Sequence, residues 1–267
     1  MLVREVQCRS LLSRSRLADY CINPYIGCQH ACIYCYADSY TRRFTEHTEA
    51  WGEFVDVKIN APIVLEREVN SKPRGTVFLS SLTDPYQPLE ERYTLTRRLL
   101  EILLRHRYPI FIQTKSALVL RDLDLIKRFP DGEVGFTITT LNDEHRRLFE
   151  PSSSPVEERL RALGKFRESG VKTFVFLGPI LPYISDQDVE GFLREISRVG
   201  ADYVYFDRLN LKPGLWLKLE SHIKNYEPHL VDEWKRILNE NMGYYKALKA
   251  RISKTAGELG LNCIFCF

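Results

Sequence analysis

Three observations predict an α/β chain folded as a partial (β/α)6 TIM-like barrel with a helical extension at its C-terminus. Short runs rich in β-branched and aromatic residues alternate with amphipathic segments from about residue 18 to 209, the pattern of parallel βαβ units. Polar residues fall at the C-terminal ends of those runs, the face on which such barrels place their chemistry. From Leu215 the pattern turns helical throughout. The chain therefore divides into a barrel over 1–210 and an extension over 211–267, with no glycine- or serine-rich linker between them.

Taken in order, Ala18–Ile22 reads as the first strand and Tyr36–Thr48 as the first helix. Phe54–Ile59 alternates apolar and polar residues, as a short extension would. Ala61–Val69 reads as a helix opened by Pro62, a residue suited to the first turn. Four strand–helix units and a further strand then follow regularly. Strand Thr76–Leu82 precedes helix Thr94–Arg107, and strand Pro109–Thr114 precedes helix Arg121–Phe129. Strand Glu133–Thr140 precedes helices Asp143–Phe149 and Pro155–Ser169. Strand Lys172–Ile180 precedes helix Ser185–Val199, and Tyr203–Leu209 is the sixth strand. Helices Leu215–Asn225, His229–Asn239 and Gly243–Leu259 follow, and LNCIFCF closes the chain with a strand-like piece.

Composition narrows the class. The 267 residues suffice for one large α/β domain. A net charge of +3 is too small to demand a polyanionic partner, although a local basic face could sit within it. No apolar run approaches the ~20 residues needed to span a bilayer, and the N-terminal stretch has no signal-peptide core. A soluble cytoplasmic protein is expected, with no membrane partner. Seven cysteines in a reducing compartment point to metal or redox use before disulfides.

The richest stretch is NPYIGCQHACIYCYA, residues 23–37. Cys28, Cys32 and Cys35 are spaced C-x3-C-x2-C. Three soft thiolates on one loop suit three corners of a cubane iron–sulfur cluster. No fourth cysteine lies in the loop, so one iron would stay open, as reactive metal sites do. A zinc site is the alternative, since His30 lies in the loop and Cys263 and Cys266 form a distant C-x2-C.

The loop resembles that of the radical S-adenosylmethionine (SAM) enzymes. SLTDPYQPLEERYTLTRRLLEIL (residues 81–103), TKSALVLRDLDLI (114–126) and FEPSSSPVEERLRAL (149–163) resemble the spore photoproduct lyase-related branch of that superfamily. The resemblance spans roughly Leu17 to Leu209. It implies a partial (β/α)6 barrel, a [4Fe–4S] cluster on Cys28, Cys32 and Cys35, and SAM chelated at the open iron. It further implies reductive cleavage of SAM to a 5'-deoxyadenosyl radical, hydrogen abstraction from a substrate, and an external electron donor of flavodoxin or ferredoxin type. A nucleic-acid substrate is a further implication, to which the basic pairs Arg97-Arg98, Arg105–Arg107 and Arg146-Arg147 would add if they are not ordinary solvated faces. In spore photoproduct lyases a cysteine just before the pair matching Thr83-Asp84 donates a hydrogen atom. Leu82 stands there in this chain, so the resemblance does not extend to that repair step.

Physical roles stand beside the resemblance. Lys115, at a strand end, offers a compact positive charge for SAM's carboxylate; a solvated lysine is the alternative. Thr83 and Asp84 offer a hydroxyl and a carboxylate for the amino group and ribose, or else Asp84-Pro85 opens a turn. Thr137 and Thr139 alternate with Phe136 and Ile138, so a strand places both hydroxyls on one face as ribose partners, unless they are present for β-propensity alone. Tyr34 resembles the residue that packs near SAM's adenine. Glu150, Pro151 and Arg159 form a pattern with a structural reading, and Arg208 is a candidate for substrate or for an ion pair. Cys263 and Cys266 read as a second metal or redox site, with Cys8 or Cys21 as extra ligands, as a hydrogen-atom donor, or as part of an apolar tail. The alternative to a radical enzyme is a non-catalytic zinc- or iron–sulfur-stabilised module that binds nucleic acid.

Overall fold

The computed structural model describes residues 1–240 and 242–267. Among the described residues its main sheet has eight strands. Six of these strands are the predicted barrel strands, each paired in parallel with its sequence neighbour: β3 (Tyr20–Ile22), β6 (Val77–Leu79), β7 (Ile110–Thr114), β8 (Gly132–Thr137), β9 (Lys172–Ile180) and β10 (Tyr203–Arg208). The edges do not meet, so the barrel is partial. One edge is extended by the short antiparallel β2 (Ser13–Arg14), the other by β11 (Cys263–Phe265), which pairs in parallel with β10.

The N-terminal residues add an element absent from the sequence reading. β1 (Leu2–Val6) pairs in parallel with β5 (Phe54–Lys58), and β4 (Tyr25–Ile26) pairs with β5 from the other side. The supposed short extension at 54–59 is thus the centre of a second, three-stranded sheet.

Several helices are shorter than predicted. α1 spans only Tyr36–Thr41, because the Arg42 guanidinium turns to the carbonyls of His47 and Glu49 and holds the following residues as a loop. α2 (Ala61–Val69) matches its prediction, with Pro62 in the first turn. Between β6 and β7 lie α3 (Glu90–Tyr93) and α4 (Leu95–Arg105), separated by Thr94 at φ 48°. A 3₁₀ turn at Ala117–Asp122 takes over the start of the next helix and leaves only α5 (Leu123–Ile126). α6 (Asp143–Phe149), capped by Asn142 on the Glu144 N–H at 2.8 Å, and α7 (Val156–Glu168) follow β8. α8 (Val189–Val199) starts late, where the Asp188 carboxylate accepts from the Gly191 N–H at 2.8 Å. The extension comprises α9 (Leu215–Tyr226), α10 (Leu230–Glu240) and α11 (Met242–Leu259).

Along β7, Ile110, Ile112 and Thr114 are buried while Phe111 and Gln113 turn into the barrel, the two-residue period of a strand with two different faces. The barrel interior carries a belt of rings. Phe111 stacks on Phe174 with centroids 4.5 Å apart, and Phe174 stacks on Tyr203 at 5.4 Å. Gly135 admits that belt, since a Cβ there would stand 2.1 Å from the Phe174 ring. A second buried cluster joins Cys32, Tyr34 and Phe149 to Leu215, Leu219, Ile223 and Trp234 of the extension. The Trp234 Nε1–H donates to the Pro182 carbonyl at 2.9 Å.

Candidate active site

The cysteine loop leaves β3 and is tied to the neighbouring strand end before its first cysteine. Asn23 Oδ1 accepts from the N–H groups of Ser81 at 3.0 Å and Leu82 at 2.9 Å. Gly27 has φ 85°, and a Cβ there would lie 2.4 Å from the Phe54 carbonyl, so only glycine fits the turn into Cys28. Two further clamps come from the segment after β6. The Thr83 hydroxyl donates to the Gly27 carbonyl at 2.6 Å, and Gln87 Nε2 donates to Thr83 Oγ1 at 3.0 Å. Gln29 donates its N–H to Gln87 Oε1 at 2.9 Å. Thr83 therefore holds the loop and is not free to act only on a ligand.

All three loop thiols line one cavity of about 470 Å³ at the C-terminal ends of the strands, within the size range of small-molecule sites. Thr83, Asp84, Lys115 and Thr137 line it too, with Gln113, Phe111, Phe176, Tyr205 and Asp207. Burial pushes the Cys28 thiol up to about 12 and raises Cys32 and Cys35 as well. Lys115 is the single lysine or arginine among the lining residues. Burial alone would lower its pKa, but Cys32, Glu150 and Asp84 outweigh that and raise it, so Lys115 stays cationic. Its Nζ lies 5.7 Å from the Tyr34 ring centroid, in cation–π range.

Asp84 is a hub. Oδ1 accepts from the Thr114 hydroxyl at 2.6 Å and the Tyr86 N–H at 2.8 Å, and Oδ2 accepts from the Lys115 N–H at 2.8 Å. His30 Nε2 stands 3.3 Å from Oδ2, off the hydrogen-bond line, while Nδ1 lies 2.9 Å from the Ser152 carbonyl. Burial pushes the Asp84 carboxyl up, but His30, Thr114 and Lys115 prevail and hold it at about 2. Most of its acceptor capacity is thus spent on the protein. His30, which suggested zinc in the sequence, instead bridges the cysteine loop to Asp84.

Glu150 is the second hub and lies fully buried. It accepts from the Tyr34 hydroxyl, from Thr139 Oγ1 at 3.1 Å and from Arg159 Nη1 at 2.8 Å. Arg159, equally buried, also donates to the Thr137 carbonyl at 2.6 Å and to Ser153 Oγ at 2.8 Å. The structural reading of that motif agrees with this network. Thr137 and Thr139 part company because β8 ends at Thr137. Thr137 accepts from Gln113 Nε2 at 3.1 Å and lines the cavity, whereas Thr139 turns to Glu150 and is not among the lining residues.

The C-terminal cysteines are not brought together. They lie three residues apart across β11, on opposite faces. Cys263 packs against the main core, while Cys266, exposed, lines the cavity that the loop thiols line. Cys21 Sγ stands 3.2 Å from Ser81 Oγ, and Cys8 bonds through its backbone to Asn60. Among the described residues no three His, Cys, Asp or Glu side chains converge on a position for one metal ion. Part of each basic run is engaged in ion pairs: Arg97 with Asp122 and Asp124, Arg105 with Glu66, and Arg146 and Arg147 with Asp143.

The sequence from residue 22 to 196 matches the radical SAM superfamily, and the chain belongs to that superfamily. It is 40% identical over 195 residues to an uncharacterized protein of Methanocaldococcus jannaschii, covering 73% of this chain and 72% of that one. A protein of Pseudomonas phage M6 named radical SAM Nalpha-GlyT isomerase is 25% identical over 185 residues, 68% of this chain and 37% of that one. Among solved structures, a spore photoproduct lyase variant with bound AdoMet and dinucleoside spore photoproduct superposes with a TM-score of 0.67. Identity to it is 16%, with 100% of this chain and 82% of that chain covered. The two share a fold.

The superfamily implies a [4Fe–4S] cluster and SAM, and the donor set fits them. The loop brings three thiols to one cavity, the ligand type that holds iron–sulfur clusters, in a number that leaves one iron of a cubane open. Ser80 Oγ, in the lining of the same cavity, is buried without a hydrogen-bond partner, and Lys115, half-buried, is the one lysine or arginine of that lining.

Proposed function

We propose that this protein is a radical SAM enzyme in which Cys28, Cys32 and Cys35 hold a [4Fe–4S] cluster and the cavity beside them holds SAM. When bound, the pair would supply a 5'-deoxyadenosyl radical that removes a hydrogen atom from a substrate. The observation that carries this reading is the convergence of three loop thiols, Lys115 and the strand-end polar groups on one cavity. A single cation suits the carboxylate of an amino acid, where a polyanion would want several. Lys115 would bind that carboxylate and Ser80 and Thr137 would offer hydroxyls to the ribose, while Tyr34, beside Lys115 and outside the cavity lining, would serve SAM through the loop it holds. Thr83 and Asp84 act mainly as positioning residues: Thr83 fixes the loop, and Asp84 fixes the Lys115 backbone and His30. The barrel, 1–210, carries the cluster loop and the groups we assign to SAM, and the extension, 211–267, adds β11 to one edge and brings Cys266 to the cavity.

The substrate we favour is a nucleobase-bearing molecule. Phe78, Phe111, Phe176 and Tyr205 line the cavity with aromatic faces on which bases stack. The fold neighbour binds a dinucleoside, which supports the same class. An external one-electron donor of flavodoxin or ferredoxin type would supply the electron.

The test is anaerobic reconstitution with iron and sulfide, followed by iron counting and a SAM-cleavage assay with dithionite. About four irons per chain, the content of one [4Fe–4S] cluster, and release of 5'-deoxyadenosine are expected. The variant Cys32→Ala is expected to lose cluster colour and cleavage while keeping its far-UV circular dichroism. A colourless protein that retains zinc and unfolds as Cys32→Ala would overturn the reading in favour of a metal-stabilised module.

A further inference from the structure

Of the seven cysteines, four line the cavity, and one of those four lies outside the cysteine loop. Cys266 arrives there because β11 pairs in parallel with β10: Phe265 stands opposite Phe206, and Cys266 donates its N–H to the Phe206 carbonyl at 2.9 Å. Tyr205 and Asp207 of β10 line the same cavity. Ser80, Ser81 and Leu82 line it as well and offer hydroxyls and apolar groups. Ser80 Oγ is buried there without a partner in a residue only 6% exposed. An orphaned buried hydroxyl marks this cavity as a place where a ligand completes the bonding. A thiol facing a ligand cavity in which carbon radicals form has one property that its neighbours lack, a weak S–H bond.

We propose that Cys266 is the hydrogen-atom donor of this enzyme, returning a hydrogen atom to a carbon-centred radical in the cavity. The assignment rests on the radical reading above. In the step the Cys266 S–H bond breaks homolytically and a C–H bond forms at the radical carbon. A thiyl radical is left on Sγ. One electron from the external reductant and one proton from solvent restore the thiol, so atoms and charge balance. Burial and the Asp207 carboxylate raise the pKa of Cys266, which keeps it in the protonated form that carries a hydrogen atom. Its exposure at the cavity rim gives the proton a route back from water. Cys263, on the opposite face of β11, has no access to the cavity.

The test uses reconstituted holoprotein in D2O with dithionite and SAM, without added thiol or substrate. The thiol exchanges to S–D, and the 5'-deoxyadenosine formed is weighed by mass spectrometry. Wild type and Cys263→Ala are expected to give product carrying one solvent deuterium. Cys266→Ala and Cys266→Ser are expected to carry roughly tenfold less, the consequence of a barrier higher by a little over 1 kcal/mol. Equal deuterium in the Cys266 variants, or none in wild type, overturns the assignment while leaving SAM cleavage itself intact. Failure of wild type to cleave SAM overturns the parent reading, and the assignment with it. A second readout needs no turnover and no variant: alkylation of wild-type holoprotein by N-ethylmaleimide, with peptide mapping. SAM is expected to slow modification of Cys266 about threefold or more, as occupancy of the cavity shields an otherwise accessible thiol, and to leave Cys263 unaffected. Cys266 modified at one rate with and without SAM also overturns the assignment.

Discussion

Asp84 and Glu150 are both buried carboxylates, and each grips the cysteine loop, one through His30 and the other through Tyr34. Their surroundings differ. Glu150 is matched by a fully buried guanidinium, Arg159, and is not among the residues lining the thiol cavity. Asp84 lines the cavity, accepts hydrogen bonds from a hydroxyl and two backbone N–H groups, and has His30 Nε2 3.3 Å away. The loop is therefore held on its core side by an ion pair and on its cavity side by a hydrogen-bond hub. A strong pair can be buried where nothing has to bind. Beside a ligand cavity a second arginine would compete with Lys115 for the same anion, and neutral donors avoid that.

Removing either partner tests the contrast. Arg159→Met should produce the largest loss of stability, about 3–5 kcal/mol, because it strands the buried Glu150 charge; chemical denaturation of the reconstituted protein measures it. Asp84→Asn should cost less, about 1–3 kcal/mol, since an amide still accepts hydrogen bonds but can no longer satisfy every donor.

The pH dependence separates the hubs further. Asp84 is depressed to about 2 in the folded protein, against the ordinary aspartate value of about 3.9. A depressed carboxyl contributes stability above its unfolded pKa and loses it as pH falls through the folded one. Wild type should therefore lose stability on acidification from about pH 4 to pH 2, by on the order of 2 kcal/mol from this group. Unfolding midpoints of Asp84→Asn should be flatter across that window, and an unchanged slope would remove Asp84 from its hub role.

Smaller changes sharpen the picture. Tyr34→Phe removes one hydrogen bond to a charged group, and with relief of the buried hydroxyl as an offset the net cost should be about 1 kcal/mol. It should leave iron content intact, because the loop backbone is held elsewhere by Thr83 and Gln87. The smallest effect is expected for Cys263→Ser. Its thiol lies across β11 from the cavity, so the iron count should stay at about four, the content of one cluster. A drop in iron there would restore the case for a second site.

Legibility in the sequence varied with the range of the interaction. The cysteine spacing, the alternation of strands and helices and the strand-end polar residues are local, and all were readable. β1 was not, because its parallel partner β5 lies some fifty residues away and neither segment signals the other. Thr139 was misplaced on the face with Thr137 because the end of β8 is set by its pairing with β9 and by the pull of Glu150. The C-terminal cysteines looked like a pair because C-x2-C is a pair on a loop; on a strand, three residues reverse the face. Among the residues sequence reading passed over, Ser80 and Gln113 carried no motif, and a strand-end position was their single signal.

By itself the sequence determined the class of the protein, because three thiols on one loop and a βα repeat are short-range patterns with few alternative meanings. The tertiary structure alone decided which polar residues face the cavity and which hold the loop. Hydroxyls and carboxylates are equally suited to both tasks, and only the positions of their partners, fixed by strand register and by chain segments far apart in sequence, select between them.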